Sequence, residues 1–458
     1  MITAELISDI KKKVEAKNKN FREQVLFSTR NISKVINEYD EELLRVDGEI
    51  PVDLPIKNND RFLFISYEQT RYTHGIHKYP AKFFPELPRW LIKRFSKMGE
   101  IVLDPFGGSA TTSVEALLHN RNSVSIDVDP FARFIAKVKT TKLEEEELKI
   151  YSNLLIKKIT EYSIANLRKY IPKFPYRDNW FKKEIILELA YIKKCISELN
   201  ISDELRNFFF ATFSSIIRNV SNADNNCTRT VVRKKLNKNI YPSLALTKFV
   251  ENLLLYSSRM KEFNDIVNGD YFVEIPEDSE AKKINYPNNY FDLSVTSPPY
   301  ANAVDYPRTH QLEMYWLGLA NGSLTPLKKK HVGTESVSVN SYRHFHKTGI
   351  NSADLVLEKI FSADKRRSFI AYKFLMDMEK NLQEVYRTLK PNGKYAMVIG
   401  NNTIRQQNFE SWKYLMEIGE RNNFKVIEYF GSEIIRHFIK IKRSERINTD
   451  WIIVFEKK

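Results

Sequence analysis

The stretch Phe291-Asp292-Leu293-Ser294-Val295-Thr296-Ser297-Pro298-Pro299-Tyr300 limits the architecture more than any other part of the chain. An apolar, weakly alternating run meets two prolines, neither of which can donate to a sheet ladder, so a strand here must stop at Ser297. The proline rings also fix φ, which holds the Ser297 side chain and the nearby carbonyls in one geometry at the C-terminal edge of a sheet. In open α/β sheets that edge is where ligands bind. The Ser297 hydroxyl and the Pro298 carbonyl are acceptors, and Tyr300 presents a flat ring beside them. Such a group suits a planar ring bearing an exocyclic NH2, with stacking worth about 1–3 kcal/mol per base. Taken alone, the tetrapeptide fits a Pro-Pro turn with a surface tyrosine equally well.

A second strand end changes that balance. In Val102-Leu103-Asp104-Pro105-Phe106-Gly107-Gly108-Ser109-Ala110-Thr111-Thr112, an apolar strand closes on an acid and runs through small residues into a helix. Small residues let a ligand approach the backbone, and a helix N-terminus offers unpaired N–H groups. About twenty residues after the glycines, Ser123-Val124-Ser125-Ile126-Asp127 reads as the next strand, with Asp127 placed to accept hydrogen bonds from ribose hydroxyls.

With both strand ends in view, the chain resembles the amino-group S-adenosylmethionine-dependent DNA methyltransferases, specifically the N4-cytosine (TSPPY) branch. The resemblance covers residues 72–140 and 265–458. It implies S-adenosylmethionine as cofactor, held by Asp104, Pro105, Phe106, Gly107, Gly108, Ser109 and Asp127. Tyr79, in His77-Lys78-Tyr79-Pro80-Ala81-Lys82-Phe83, would close over the cofactor, and Asp270 would approach its adenine. Ser297, Pro298, Pro299 and Tyr300 would carry the chemistry on a flipped cytosine of double-stranded DNA. Serine at position 297 favours cytosine over adenine. The resemblance also implies a restriction-modification setting, with a cognate endonuclease as candidate partner. Ala110 departs from the family pattern, which has a third glycine there; its methyl is expected to hinder the cofactor mildly.

Composition bears on the partner. Lys and Arg number 72 against 57 acids, a formal charge of +15, as a polyanion ligand would favour. Cys195 and Cys227 offer neither a disulfide scaffold nor zinc spacing, and no metal site is predicted. Neither cysteine sits in a nucleophile turn, which argues against methylation at a ring carbon, where a thiolate must first add to the base. No apolar run is long enough for a membrane span, and the expected location is cytoplasmic.

The predicted fold is α/β: a doubly wound, mostly parallel Rossmann-like sheet with a closing antiparallel strand pair and a large helical insertion. Residues 1–60 are expected to form a helical arm, 61–142 and 265–458 the two parts of the core, and 143–264 the helical insertion and target-recognition region. Within that insertion, Arg233, Lys234 and Lys235 belong to a basic run without acids; Lys328, Lys329 and Lys330 belong to a basic loop at 320–352. Both runs are candidates for DNA contact. Two other readings keep the fold or abandon the chemistry: adenine N6 or an RNA amine as acceptor, or a non-catalytic nucleic-acid-binding subunit.

Overall fold

In a computed structural model, which describes residues 3–27, 31–37, 40–232, 238–301, 304–434 and 448–458, strands and helices alternate over most of the core. The strands are β1 (Asn31–Ile36), β2 (Glu42–Asp47), β3 (Arg61–Ile65), β4 (Ile101–Asp104), β5 (Asn122–Ser125), β6 (Val273–Glu274), β7 (Phe291–Thr296), β8 (Leu389–Gly400), β9 (Asn402–Ile404), β10 (Gln407–Phe409), β11 (Phe424–Glu433) and β12 (Thr449–Lys457). Ten of them form one sheet in the order β1-β2-β3-β11-β12-β8-β7-β4-β5-β6. From β6 to β8 all neighbours are parallel. β12 then runs antiparallel between β8 and β11, the closing pair that the sequence predicts.

The order reverses between β4 and β7. Successive strands β4, β5 and β6 step outward on one side, whereas β7 and β8 step outward on the other. Strand ends part at such a switch point and leave a crevice. One face of the sheet is covered by the helix Glu86–Phe95, where Leu87, Trp90 and Leu91 pack on Val102, Leu293 and Val398. The other is covered by the helices Lys365–Thr388 and Ser411–Arg421.

One expectation needs correction. The N-terminal arm is helical only over Ala4–Phe27; β1 and β2 follow it and extend the sheet. Three of the six residues in Asn31–Ile36 are β-branched, which suits a pleated surface. β2 pairs in parallel with β3, setting Leu44 opposite Phe62 and Val46 opposite Phe64. Those pairings join segments that local periodicity cannot connect. The turn-forming residues Pro391-Asn392-Gly393 lie within the span of β8. Pairing with β7 jumps from Phe291↔Leu389 to Leu293↔Lys394, and Asn392 has φ +63°, so the turn chemistry survives as a bulge.

The insertion is helical, with Glu145–Thr160, Lys183–Ser197, Asp203–Val220 and Leu244–Ile266 as its long elements. Its core is continuous with that of the sheet region, since Phe208, Phe213 and Phe249 belong to the same buried cluster as Ile76, Tyr79, Val114 and Phe131. Arg233, Lys234 and Lys235 lie outside the described residues.

Candidate active site

The C-terminal ends of β4, β5 and β7 surround a cleft of about 780 Å3, counted with its open mouth, a size typical of small-molecule sites. Tyr79, Pro105, Phe106, Gly107, Gly108, Ser109 and Asp127 line it together with Ser297 and Pro299. Residues nearly 190 positions apart therefore share one wall.

Each glycine of the turn has its own reason. A Cβ on Gly107 would fall 1.9 Å from the Ser125 hydroxyl, so the turn can lie against β5 only with hydrogen there. Gly108 has room for a side chain but adopts φ +48°, a left-handed conformation costly to other residues. Its N–H donates to Asp127 Oδ2 at 2.9 Å, and the Asp129 N–H donates to Asp127 Oδ1 at 2.8 Å. Burial, reinforced by the neighbouring Asp129, raises the Asp127 pKa. Each Asp127 oxygen keeps acceptor capacity toward the cleft. The expected obstruction by Ala110 does not occur. Its methyl is fully buried away from the cleft wall, and its penalty is instead a left-handed backbone, φ 61° and ψ 35°, at the start of the helix Thr111–Leu118.

Asp104 does not line the cleft. Its carboxylate accepts the Thr296 hydroxyl at 2.6 Å and the Phe106 N–H at 3.1 Å. It thus fastens the end of β4 to the end of β7, and burial pushes its pKa up to about 6. The group positions both loops.

The segment carrying Tyr79 is anchored from below. Fully buried Glu115 takes His74 Nε2 at 2.7 Å and Arg89 Nε at 2.8 Å, while Arg89 also reaches Glu68 at 2.5 Å. Burial opposes ionisation of Glu115, yet Arg89 and the histidines hold its pKa well below the usual range. From this anchor an aromatic column builds the cleft wall. Tyr79 stacks on His310 at 4.9 Å and on Tyr306 at 5.7 Å, and Tyr306 stacks in turn on His331 at 6.4 Å. His331 Nε2 stands 3.7 Å from Asp129. Burial disfavours its protonation, but Asp129 outweighs burial and raises the His331 pKa.

On the β7 side, Pro298 is buried behind Ser297 and Pro299. The Tyr300 hydroxyl donates to Asp450 Oδ1 at 2.5 Å. Asp450, the second residue of β12, pairs with Gly400, the last residue of β8, so it stands on the same edge as the cleft. Trp451 beside it stacks on Trp412 at 4.1 Å, which fixes the strand there. Burial pushes the Asp450 pKa up to about 6.

Several sequence expectations fall elsewhere. Asp270 is exposed and precedes β6, whose first residue, Val273, pairs with Ser123, while the Phe272 N–H bonds to Asn122 at the start of β5. It therefore occupies the N-terminal edge, away from the cleft; the acid that reaches the cleft from this region is Glu280, after β6. Lys328 is held by Asp305 at 2.7 Å, Lys329 is exposed, and Lys330 lies on the cleft, 3.9 Å from Glu280. Sequence reasoning missed Asp450, Thr296, Tyr306 and His331. A signal for Asp450 existed: an acid opening the predicted antiparallel strand must fall at the active edge.

Comparison with known proteins agrees with this geometry. The family described as DNA methylase matches residues 8–137. The Type II methyltransferase M.MvaI of Kocuria varians is 27% identical over 418 residues, covering 83% of this chain and 88% of that protein. Residues 8–137 thus match the DNA methylase family, and most of the chain is similar to a Type II methyltransferase. M.BsoBI of Geobacillus stearothermophilus, another Type II methyltransferase, is 24% identical over 426 residues, 80% of this chain and 82% of its own length. M.MjaII of Methanocaldococcus jannaschii is 30% identical over 206 residues, 43% of this chain and 35% of its own. S-adenosylmethionine is the cofactor, and the cleft fits it. Ser109 Oγ is buried on the wall without a partner among the described residues, Asp127 offers acceptors, and Tyr79 and Phe106 supply flat apolar surface.

Proposed function

We propose that this protein transfers a methyl group to the exocyclic N4 amine of a cytosine flipped out of double-stranded DNA, at a specific site, as the modification half of a restriction-modification pair. The observation that carries this reading is that Ser297 and Pro299 line the same cleft as Gly108 and Asp127. An amine held at Ser297 therefore stands beside the cofactor site. The names of the relatives, all Type II methyltransferases, support the DNA substrate and the setting.

Bound S-adenosylmethionine supplies an electrophilic methyl group, and this chain's residues do the rest. The Ser297 hydroxyl and the Pro298 carbonyl accept the two amine protons, which points the nitrogen lone pair out of the ring plane. Tyr300, held by Asp450, stacks on the base. The amine nitrogen becomes a strong acid only as the new N–C bond forms, so its proton can leave late, without a strong base. Extracting the base from the duplex costs a few kcal/mol, offset by stacking and hydrogen bonds in the pocket. Serine before Pro298 favours cytosine over adenine N6.

Nucleoside mass spectrometry of DNA from cells expressing the protein tests the proposal. N4-methylcytosine is the expected product. N6-methyladenine would move the acceptor to adenine, and unmodified DNA would refute methyl transfer.

A further inference from the structure

A second cavity adjoins the first and shares Tyr306, His331 and Val332 with it as a common wall. It contains three cationic side chains, Arg229, Arg308 and Lys328, and two acids, Asp305 and Glu335. The acids are already committed. Asp305 accepts Lys328 at 2.7 Å and also caps the helix Tyr306–Thr309, and Glu335 accepts Arg367 at 2.6 Å. Arg229 and Arg308 make no ion pair among the described residues.

The backbone that carries these two arginines is fixed. The Thr230 hydroxyl donates to the Thr309 carbonyl at 2.7 Å in a buried contact. Arg229 and Arg308 each precede one of those threonines, so one hydrogen bond pins the helical insertion to the segment that follows Tyr300. Both arginines are thereby set on the wall of one cavity, exposed and with neither in an ion pair among the described residues. An anion in this cavity can be shared by both arginines, and the planar guanidinium fork matches phosphate oxygens in particular.

We propose that Arg229 and Arg308 clamp a single phosphodiester of the flipped target nucleotide, immediately 5′ or 3′ to it. This rests on the methyl-transfer reading and adds the site that holds the strand while the base occupies the cleft. A base entering past Tyr306 and His331 leaves its backbone in this second cavity. The clamp joins the insertion to the core, so it forms only when both parts face the same strand.

The test uses the full-length protein and a duplex containing the sequence it methylates, mapped first in cellular DNA. One shared phosphate predicts that R229A/R308A lowers the salt dependence of DNA binding by about one unit of slope. Cofactor affinity, measured by calorimetry, should stay unchanged. Neutral methylphosphonates placed singly at the two flanking phosphates should weaken wild-type binding about tenfold at one position and leave the double variant unaffected there. Equal methylphosphonate effects on both proteins at both positions would overturn the clamp. A slope loss near two units would overturn it as well, since the arginines would then serve separate phosphates. Absence of any methylated nucleoside would refute methyl transfer at the mapping stage, before the phosphate scan is read.

Discussion

Replacing Asp450 with asparagine should stabilise the fold at neutral pH while slowing methyl transfer. Burial lifts this carboxyl from 3.8 to about 6. Ionising it in the folded state therefore costs roughly two pKa steps of about 1.4 kcal/mol, at most about 3 kcal/mol. Solvent reaches part of the residue, which lowers the expectation to about 1–2 kcal/mol. The sign follows from the raised pKa. The neutral acid is favoured in the folded state below about pH 4, and that advantage is lost as pH rises through 6. The gain from D450N should therefore be small at pH 4.5 and full by pH 8, measured as urea midpoints at both. The asparagine oxygen still accepts from Tyr300, but a neutral acceptor holds it less firmly than a carboxylate. A several-fold fall in kcat with unchanged cofactor affinity is expected. A variant with wild-type kcat would refute the positioning role, and an equal stability change at both pH values would refute the buried-acid argument.

Other expectations follow from the same geometry. Y300F removes the hydrogen bond that favours ionised Asp450, so the pH step in stability should move upward; an unmoved step would mean that the 2.5 Å contact does not bear on the titration. S297A should lose most turnover yet bind S-adenosylmethionine normally by calorimetry, and near-normal turnover would remove Ser297 from the amine site. G107A places a methyl 1.9 Å from the Ser125 hydroxyl and should cost about 1–3 kcal/mol in chemical denaturation, with part recovered in G107A/S125A. D127A should weaken cofactor binding at least tenfold, whereas D270A, at the opposite sheet edge, should leave it unchanged.

The stretches that line the cleft were legible because local chemistry determines them. Prolines after Ser297 must end a strand, and Gly107-Gly108 after Asp104 must make a turn with an open backbone. The structure sets both at one cleft. Asp270 failed as a cofactor ligand because an acid near a strand looks alike at either end, while only the C-terminal end faces the crevice. Asp104 looked like a ligand for a similar reason, and its carboxylate is instead spent on Thr296.

By itself, then, the sequence determined the alternation of strands and helices, the two strand ends and the kind of ligand each suits. These depend on periodicity, on proline and glycine geometry, and on residue chemistry within a few positions. Tertiary structure alone decided what those ends stand beside. Tyr300 meets Asp450 across 150 residues, Arg229 comes beside Arg308 through Thr230 and Thr309, and β1 and β2 find a sheet edge next to β3. Each pairing depends on strand order and on packing between distant segments, and no local pattern encodes either.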